Sequence, residues 1–226
     1  MRRAVSFMGL LATTLLLAGC ARTTGGHAVA GPSHTPRLLA GGDLDNILLT
    51  PSQLSGIVGA KVQLQADVLS PVAGDPTEGP CAGLDAPGMQ LFVGDSYSAF
   101  HMLLMADGSA TEHDHVVTEA VTVYVDEATA AKTFATAIAG LQGCNGQQVQ
   151  VAAAWRFAVN DTTADTVHWN KEQTDLPSLW VCYGQGRVRD NAIVQAMSCQ
   201  GDDGGNANAD TISNRMSAAI WDATAG

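Results

Sequence analysis

Five cysteines place the strongest limits on this 226-residue chain: four form an even set, and the fifth sits where an exported protein is processed. Cys20 closes the string Leu17-Ala18-Gly19-Cys20, after a basic start at Arg2-Arg3 and a mostly apolar run from Val5 to Leu17. Small residues ahead of a cysteine form the pattern of a bacterial lipoprotein signal peptide, whose cleavage leaves the cysteine as an acylated N-terminus. As a membrane span the run is short, since crossing takes about 20 apolar residues. The weak consensus around the arginine pair favours the ordinary export route over the twin-arginine one. The expected organisation is a signal peptide over 1–19, a lipidated N-terminus and flexible tether over 20–45, and one folded domain over 46–226. Residues 21–45 are rich in Gly, Thr, Pro and Ala and show no helical or alternating pattern.

Charge narrows the partners. The chain carries 11 Lys and Arg against 22 Asp and Glu, a net charge of −11, and removing residues 1–19 with their two arginines makes it −13. A nucleic-acid backbone needs clustered basic side chains, so nucleic acid is excluded, and an anionic lipid surface is disfavoured on the same ground. Membrane attachment through acyl chains on Cys20 needs no such charge. With 46% hydrophobic residues the chain can bury a sizeable core, which excludes a disordered protein.

Cys81, Cys144, Cys182 and Cys199 remain, an even number in an oxidising compartment. Three pairings are open to them. Residues 178–185 and 192–200 read as strands, and a hairpin turn centred on Asp190-Asn191 would place Cys182 and Cys199 directly opposite one another. Directly opposed Cβ atoms are close enough for a disulfide, and Cys81 then pairs with Cys144 by elimination. The C-x-x-C spacing of zinc sites is absent.

Elsewhere the pattern alternates between helix and strand. Thr50-Pro51-Ser52-Gln53 is a capping box with proline at the first helical position, followed by Leu54, Ile57 and Val58 on one face and Gly59 as terminator. Val62, Leu64 and Ala66 alternate as a strand, and residues 70–90, crowded with Pro and Gly, form a long loop pinned by Cys81. Residues 100–105 and 117–125 read as strands. Asp126-Glu127 opens a helix with Ala131, Phe134, Ile138 and Leu141 as its core stripe. Residues 148–159 and 166–170 read as further strands, and a last helix runs from about Asn208 to Trp221 with Ile212, Met216, Ala219 and Ile220 facing inward. The fold class expected is α+β, a single domain with a mostly antiparallel central sheet, packed helices and two disulfides.

Together these residues resemble a known family. Leu48-Leu49-Thr50-Pro51-Ser52-Gln53-Leu54 followed by Ile57-Val58-Gly59, Cys81 before a strand-rich stretch, the Ala-rich helix ending at Cys144, the Cys182/Cys199 hairpin and Asn206-Ala207-Asn208-Ala209-Asp210 carry the likeness. Over roughly residues 47–222 the chain is similar to the extracellular sensor domain of PknH-type mycobacterial serine/threonine kinases, which also occurs in free-standing lipoproteins. The resemblance implies an antiparallel-rich sheet, the disulfides Cys81–Cys144 and Cys182–Cys199, and a cleft that takes a ligand. Members often carry Trp where this chain has Leu141. The 226 residues include no kinase domain, so a signal would pass to another protein.

Several residue groups admit chemistry. Gly94-Asp95-Ser96, Asn160-Asp161 and Asp165-Thr166-Val167-His168 match the blocks of a GDSL-type serine hydrolase centred on Ser96. Such enzymes hold these blocks on a parallel α/β sheet, whereas here Asn160 and His168 fall in strand-like surroundings without repeated βα units. Glu112-His113-Asp114-His115 offers metal-binding side chains, but consecutive residues rarely converge on one ion. Asp202-Asp203-Gly204-Gly205-Asn206 lacks the alternating spacing of a calcium loop and reads as a turn into a helix. Tyr97, Trp155, His168 and Trp169 are the candidate ligand contacts, with Trp180 a further aromatic, against the plainer reading of each aromatic as core. The expected function is a non-catalytic envelope lipoprotein at the outer face of the cell membrane. It would use no metal or cofactor and bind a small ligand or an envelope protein in a mostly apolar cleft.

Overall fold

The computed structural model describes residues 37–108 and 112–225. Cys20 and the residues expected to form a signal peptide lie outside them. Eight strands form one antiparallel sheet: β1 (Gln63–Val68), β2 (Tyr97–Ala106), β3 (His115–Tyr124), β4 (Gln148–Val151), β5 (Ala153–Thr162), β6 (Thr166–Gln173), β7 (Val181–Arg189) and β8 (Ala192–Gln200). Their spatial order is β1-β2-β3-β8-β7-β6-β5-β4, so the two hairpin systems meet at the β3–β8 pairing. Helices α1 (Leu44–Ile47), α2 (Pro51–Val58) and α5 (Gly204–Thr224) cover one face. Helices α3 (Gln90–Val93) and α4 (Glu127–Cys144), with the 3₁₀ turn Pro80–Leu84, cover the other.

Strand alternation assigns each side chain to a face. On β8, Ala192, Val194 and Ala196 meet Ile212, Met216 and Ile220 of α5, while Ile193, Met197 and Cys199 join Phe134 and Leu141 of α4. With both faces covered, all nine residues of β8 are buried, which is why its sequence reads as a mostly apolar run broken by Gln195 and Ser198.

Local signals gave several elements their ends. Thr50 Oγ1 accepts from Gln53 N at 3.3 Å and Gln53 Oε1 accepts from Thr50 N at 2.8 Å, and Gly59 closes the helix at φ 75°. The β7–β8 register places Cys182 opposite Cys199, and the structure contains that disulfide together with Cys81–Cys144.

Four expectations need correction. The tether does not extend to Asp45: Leu39 is buried, and the Asn191 side chain holds its main chain, accepting from Leu39 N at 2.9 Å and donating to Leu39 O at 3.0 Å. Residues 148–159 are not one strand. Ala152, at φ 54°, folds them into the tight β4–β5 hairpin without a glycine to signal it. The strand read over 178–185 instead spans Val181–Arg189, so the two-residue turn Asp190-Asn191 alone joins it to β8. The α4 stripe uses Ala130, with Ala131 exposed.

Candidate functional site

On the α4 face the helix covers only part of the sheet, and residues 71–96 must cover the rest. That segment is too rich in Pro and Gly to form a long helix or strand, and it settles into short turns fastened at several points. Val72 N donates to Gly88 O and Gln90 N to Val72 O, at 2.9 and 2.8 Å. Tyr124 Oη donates to Val93 O at 2.8 Å. Cys81 is bonded to Cys144 at the end of α4. Lys171 Nζ meets Asp85 Oδ2 at 2.8 Å, both groups nearly buried, and stands 4.6 Å from the centre of the Trp155 ring. A cation and an anion so far from water hold each other closely, because neither can be solvated alone.

Between this fastened segment and α4 lie two depressions of 450 and 340 Å³, and a third of 360 Å³ within the segment adjoins them, the three together forming a groove. Leu91, 54% exposed, borders all three. The depression nearest the disulfide is walled by Pro80, Leu84, Ala139, Gly140 and Gly143. At the opposite end the lining turns polar, with Ser96, Asp126, Thr129 and Lys132. Asp126 caps α4, and the Thr129 backbone N–H, donating at 2.7 Å, lowers the carboxyl pKa below its ordinary value. A β-carbon on Gly143 would point into open space, so the groove floor there is bare helix backbone. Such a lining can enclose an apolar body and offers polar contacts to one end of it.

The structure disperses the residues expected to contact a ligand. Trp169 is buried in the core against Phe92, with ring centroids 5.7 Å apart; its indole lies over Gly184, where any side chain would overlap it. Trp155 is buried in the same core, under Lys171. Tyr97, partly buried, packs on Phe100 with centroids 6.5 Å apart. His168 lies on the opposite face: Gln185 Nε2 donates to its Nε2 at 2.8 Å, and Gln185 Oε1 accepts from Ser213 of α5. Aromatic content alone could not separate core from cleft. Leu91 and the small residues of α4 escaped notice because the groove exists only where two segments distant in sequence meet.

The blocks of the hydrolase reading are not assembled either. Ser96 lies beside the start of α4, whereas His168 is engaged with Gln185 across the sheet, and Asn160 donates to Asn170 Oδ1 at 3.1 Å. His115 Nδ1 pairs with Asp107 Oδ2 at 2.7 Å, and the His113 ring packs on Trp180 at 5.6 Å. Among the described residues no three metal-binding side chains converge. Asp202 Oδ1 accepts from Gly204 N at 2.8 Å at the start of α5, as a turn into a helix does.

The profile of the PknH-like extracellular domain family matches residues 39–219. The chain belongs to that family. The match begins at the residue that Asn191 clamps, so the N-terminal arm is part of the PknH-like domain. The chain is also similar to the crystal structure of the extracellular domain of PknH from Mycobacterium tuberculosis, with a TM-score of 0.72 and 20% identity. The superposition covers 84% of this chain and 99% of that one, and at this identity it establishes the shared fold. No curated protein sequence matches the chain. No described helix is long and apolar enough to cross a membrane.

Proposed function

We propose that this PknH-like domain is the body of a cell-envelope lipoprotein, acylated at Cys20 after loss of residues 1–19, that binds a small apolar ligand without transforming it. The ligand lies in the groove along α4, its apolar part against Leu91, Pro80, Leu84 and Ala139 and its polar end toward Ser96 and Lys132. One observation carries the reading: an apolar groove whose walls are fastened by a disulfide and a buried ion pair, so that little ordering remains to oppose binding. Ser96, at the polar end, serves as a contact in place of a nucleophile, since His168 is committed to Gln185 on the other face.

Titration with the apolar fluorophore N-phenyl-1-naphthylamine tests this. Gly143→Leu puts a side chain into open groove space and should weaken binding at least about tenfold, equivalent to 1.4 kcal/mol, with the melting temperature retained. Undiminished binding by that variant would exclude the groove as the site.

A further inference from the structure

The arm that leads toward Cys20 enters the folded body at one end of the sheet, and that end has an unusual surface. Arg37, the first described residue, donates its backbone N–H to Thr224 O at the end of α5, at 3.2 Å. Two residues on, Leu39 is gripped by Asn191, whose Nδ2 also donates to Tyr124 O at 2.7 Å. The buried Asn191 thus gathers the arm, the end of β3 and the β7–β8 turn at one point. The arm, the end of β3 and the end of α5, which Arg37 joins to the arm, each put an apolar side chain into solvent near a fastened residue. Leu38 precedes Leu39 and is 42% exposed; Val125 follows Tyr124 and is 67% exposed; Trp221, one turn before Thr224, is 59% exposed. Arg189, adjoining the same turn, stacks its guanidinium 5.3 Å from the Trp221 ring centre.

An exposed Trp backed by Arg, flanked by aliphatic side chains, suits the headgroup region of a bilayer, where an indole keeps its ring among acyl chains and a guanidinium reaches water or phosphate. The neighbouring acids do not forbid this. Asp43 is paired with Arg37 at 2.9 Å, Asp190 accepts from Thr224 at 3.3 Å and Asp126, next to Val125, accepts from Thr129 N at 2.7 Å, while the exposed Asp126 and Asp222 turn to the water at the rim of the patch. Chain length permits the contact: sixteen residues separate Cys20 from Arg37, a reach of at most about 60 Å.

We infer that Leu38, Val125 and Trp221, with Arg189, form a membrane-resting patch that seats this end of the domain on the lipid surface. The inference rests on the lipid-anchor reading of Cys20. It fixes an orientation, with the Asp190-Asn191 turn toward the bilayer and the Cys182–Cys199 end of the hairpin away from it. The lipid concerned is zwitterionic, since a body of net charge −13 is repelled by an anionic surface.

The test couples the mature chain, residues 20–226, through its Cys20 thiol to a maleimide lipid in phosphatidylcholine vesicles with or without brominated acyl chains. Natural acylation is thereby bypassed. Bromine should quench about a quarter of the emission, the share of one Trp among four, and Trp221→Phe should abolish that quenching. Leu38→Ser with Val125→Ser should at least halve it. Absence of quenching in the unaltered protein, or equal quenching in Trp221→Phe, would overturn the patch; so would self-association of the coupled protein that shields Trp221 from lipid. Separately, membrane fractionation of cells producing Cys20→Ala asks whether the anchor is lipid. Release of that variant supports the anchor whatever the vesicles show, and retention refutes the anchor without touching the quenching result.

Discussion

Each face of the sheet buries an ionisable group, and the two are handled in opposite ways. Under the 71–96 segment, Lys171 and Asp85 neutralise one another at 2.8 Å. Under the N-terminal arm, Glu119 is fully buried on the face of Val117 and Val121, and among the described residues its two oxygens accept from Leu49 N alone, at 3.0 and 3.1 Å. The difference follows from what covers each face. Helix α5, 21 residues long with Ile212, Met216 and Ile220 along one side, closes its face by apolar packing that tolerates one neutral acid. The opposite face is closed partly by a segment without a long helix, whose buried Leu84, Met89, Phe92 and Val93 are joined by a disulfide and an ion pair, and which leaves a groove beside α4.

The largest effect should come from breaking the ion pair on one side only. Lys171→Met leaves the Asp85 carboxylate buried without its cation, and a loss of about 3–5 kcal/mol is expected in urea unfolding. Lys171→Met with Asp85→Leu removes both charges and should recover most of that loss. If the double variant is as unstable as the single one, packing around Trp155 outweighs the charge, and the contrast between the faces weakens.

The two disulfides sharpen the comparison. In the chain-entropy model the 63-residue closure by Cys81–Cys144 contributes about 4 kcal/mol and the 17-residue closure by Cys182–Cys199 about 3. The totals differ little, but the location of the damage should not. Replacing Cys81 and Cys144 by Ala should speed amide exchange at residues 76–92 and reduce binding in the groove. Replacing Cys182 and Cys199 should lower the melting temperature while leaving that exchange rate alone, because the β7–β8 ladder persists. Equal exchange at residues 76–92 in both variants would show that the segment does not depend on its own staple.

How far these features could be read in advance depended on how local their causes are. The Thr50–Gln53 cap, the Gly59 stop and the Cys182/Cys199 register each arise within a few residues or one hairpin, so spacing sufficed. Ala152 at positive φ carries no glycine signal, because the closing ladder of β4 and β5 imposes the strain. The groove depends on Leu91 facing Thr136, side chains brought together only by the fold. Trp169 and His168 are adjacent in sequence and lie on opposite faces, which follows from strand alternation, but which face holds the groove is fixed only when α4 and α5 take their sides.

The other face supplies the mildest perturbation, a change of pH. Burial pushes the Glu119 carboxyl from 4.5 up to about 8, with the Leu49 N–H only partly opposing it. Below about pH 4.5 the folded and unfolded chains both carry the proton, so the site adds no pH dependence. As pH rises further, the unfolded chain releases the proton while the folded one keeps it, and stability falls until about pH 8, above which both have lost it. Up to about 3 kcal/mol should disappear between pH 5 and pH 8 through this group. Glu119→Gln keeps an acceptor for Leu49 and cannot ionise, so its melting temperature should vary less with pH over that window. The carboxyls of Asp43, Asp107, Asp126 and Asp202, held below their ordinary values, titrate at lower pH and leave the difference between the two proteins intact. Parallel calorimetric curves for the two proteins between pH 5 and 8 would mean that Glu119 ionises in the folded state at an ordinary pH, and that water reaches beneath the N-terminal arm.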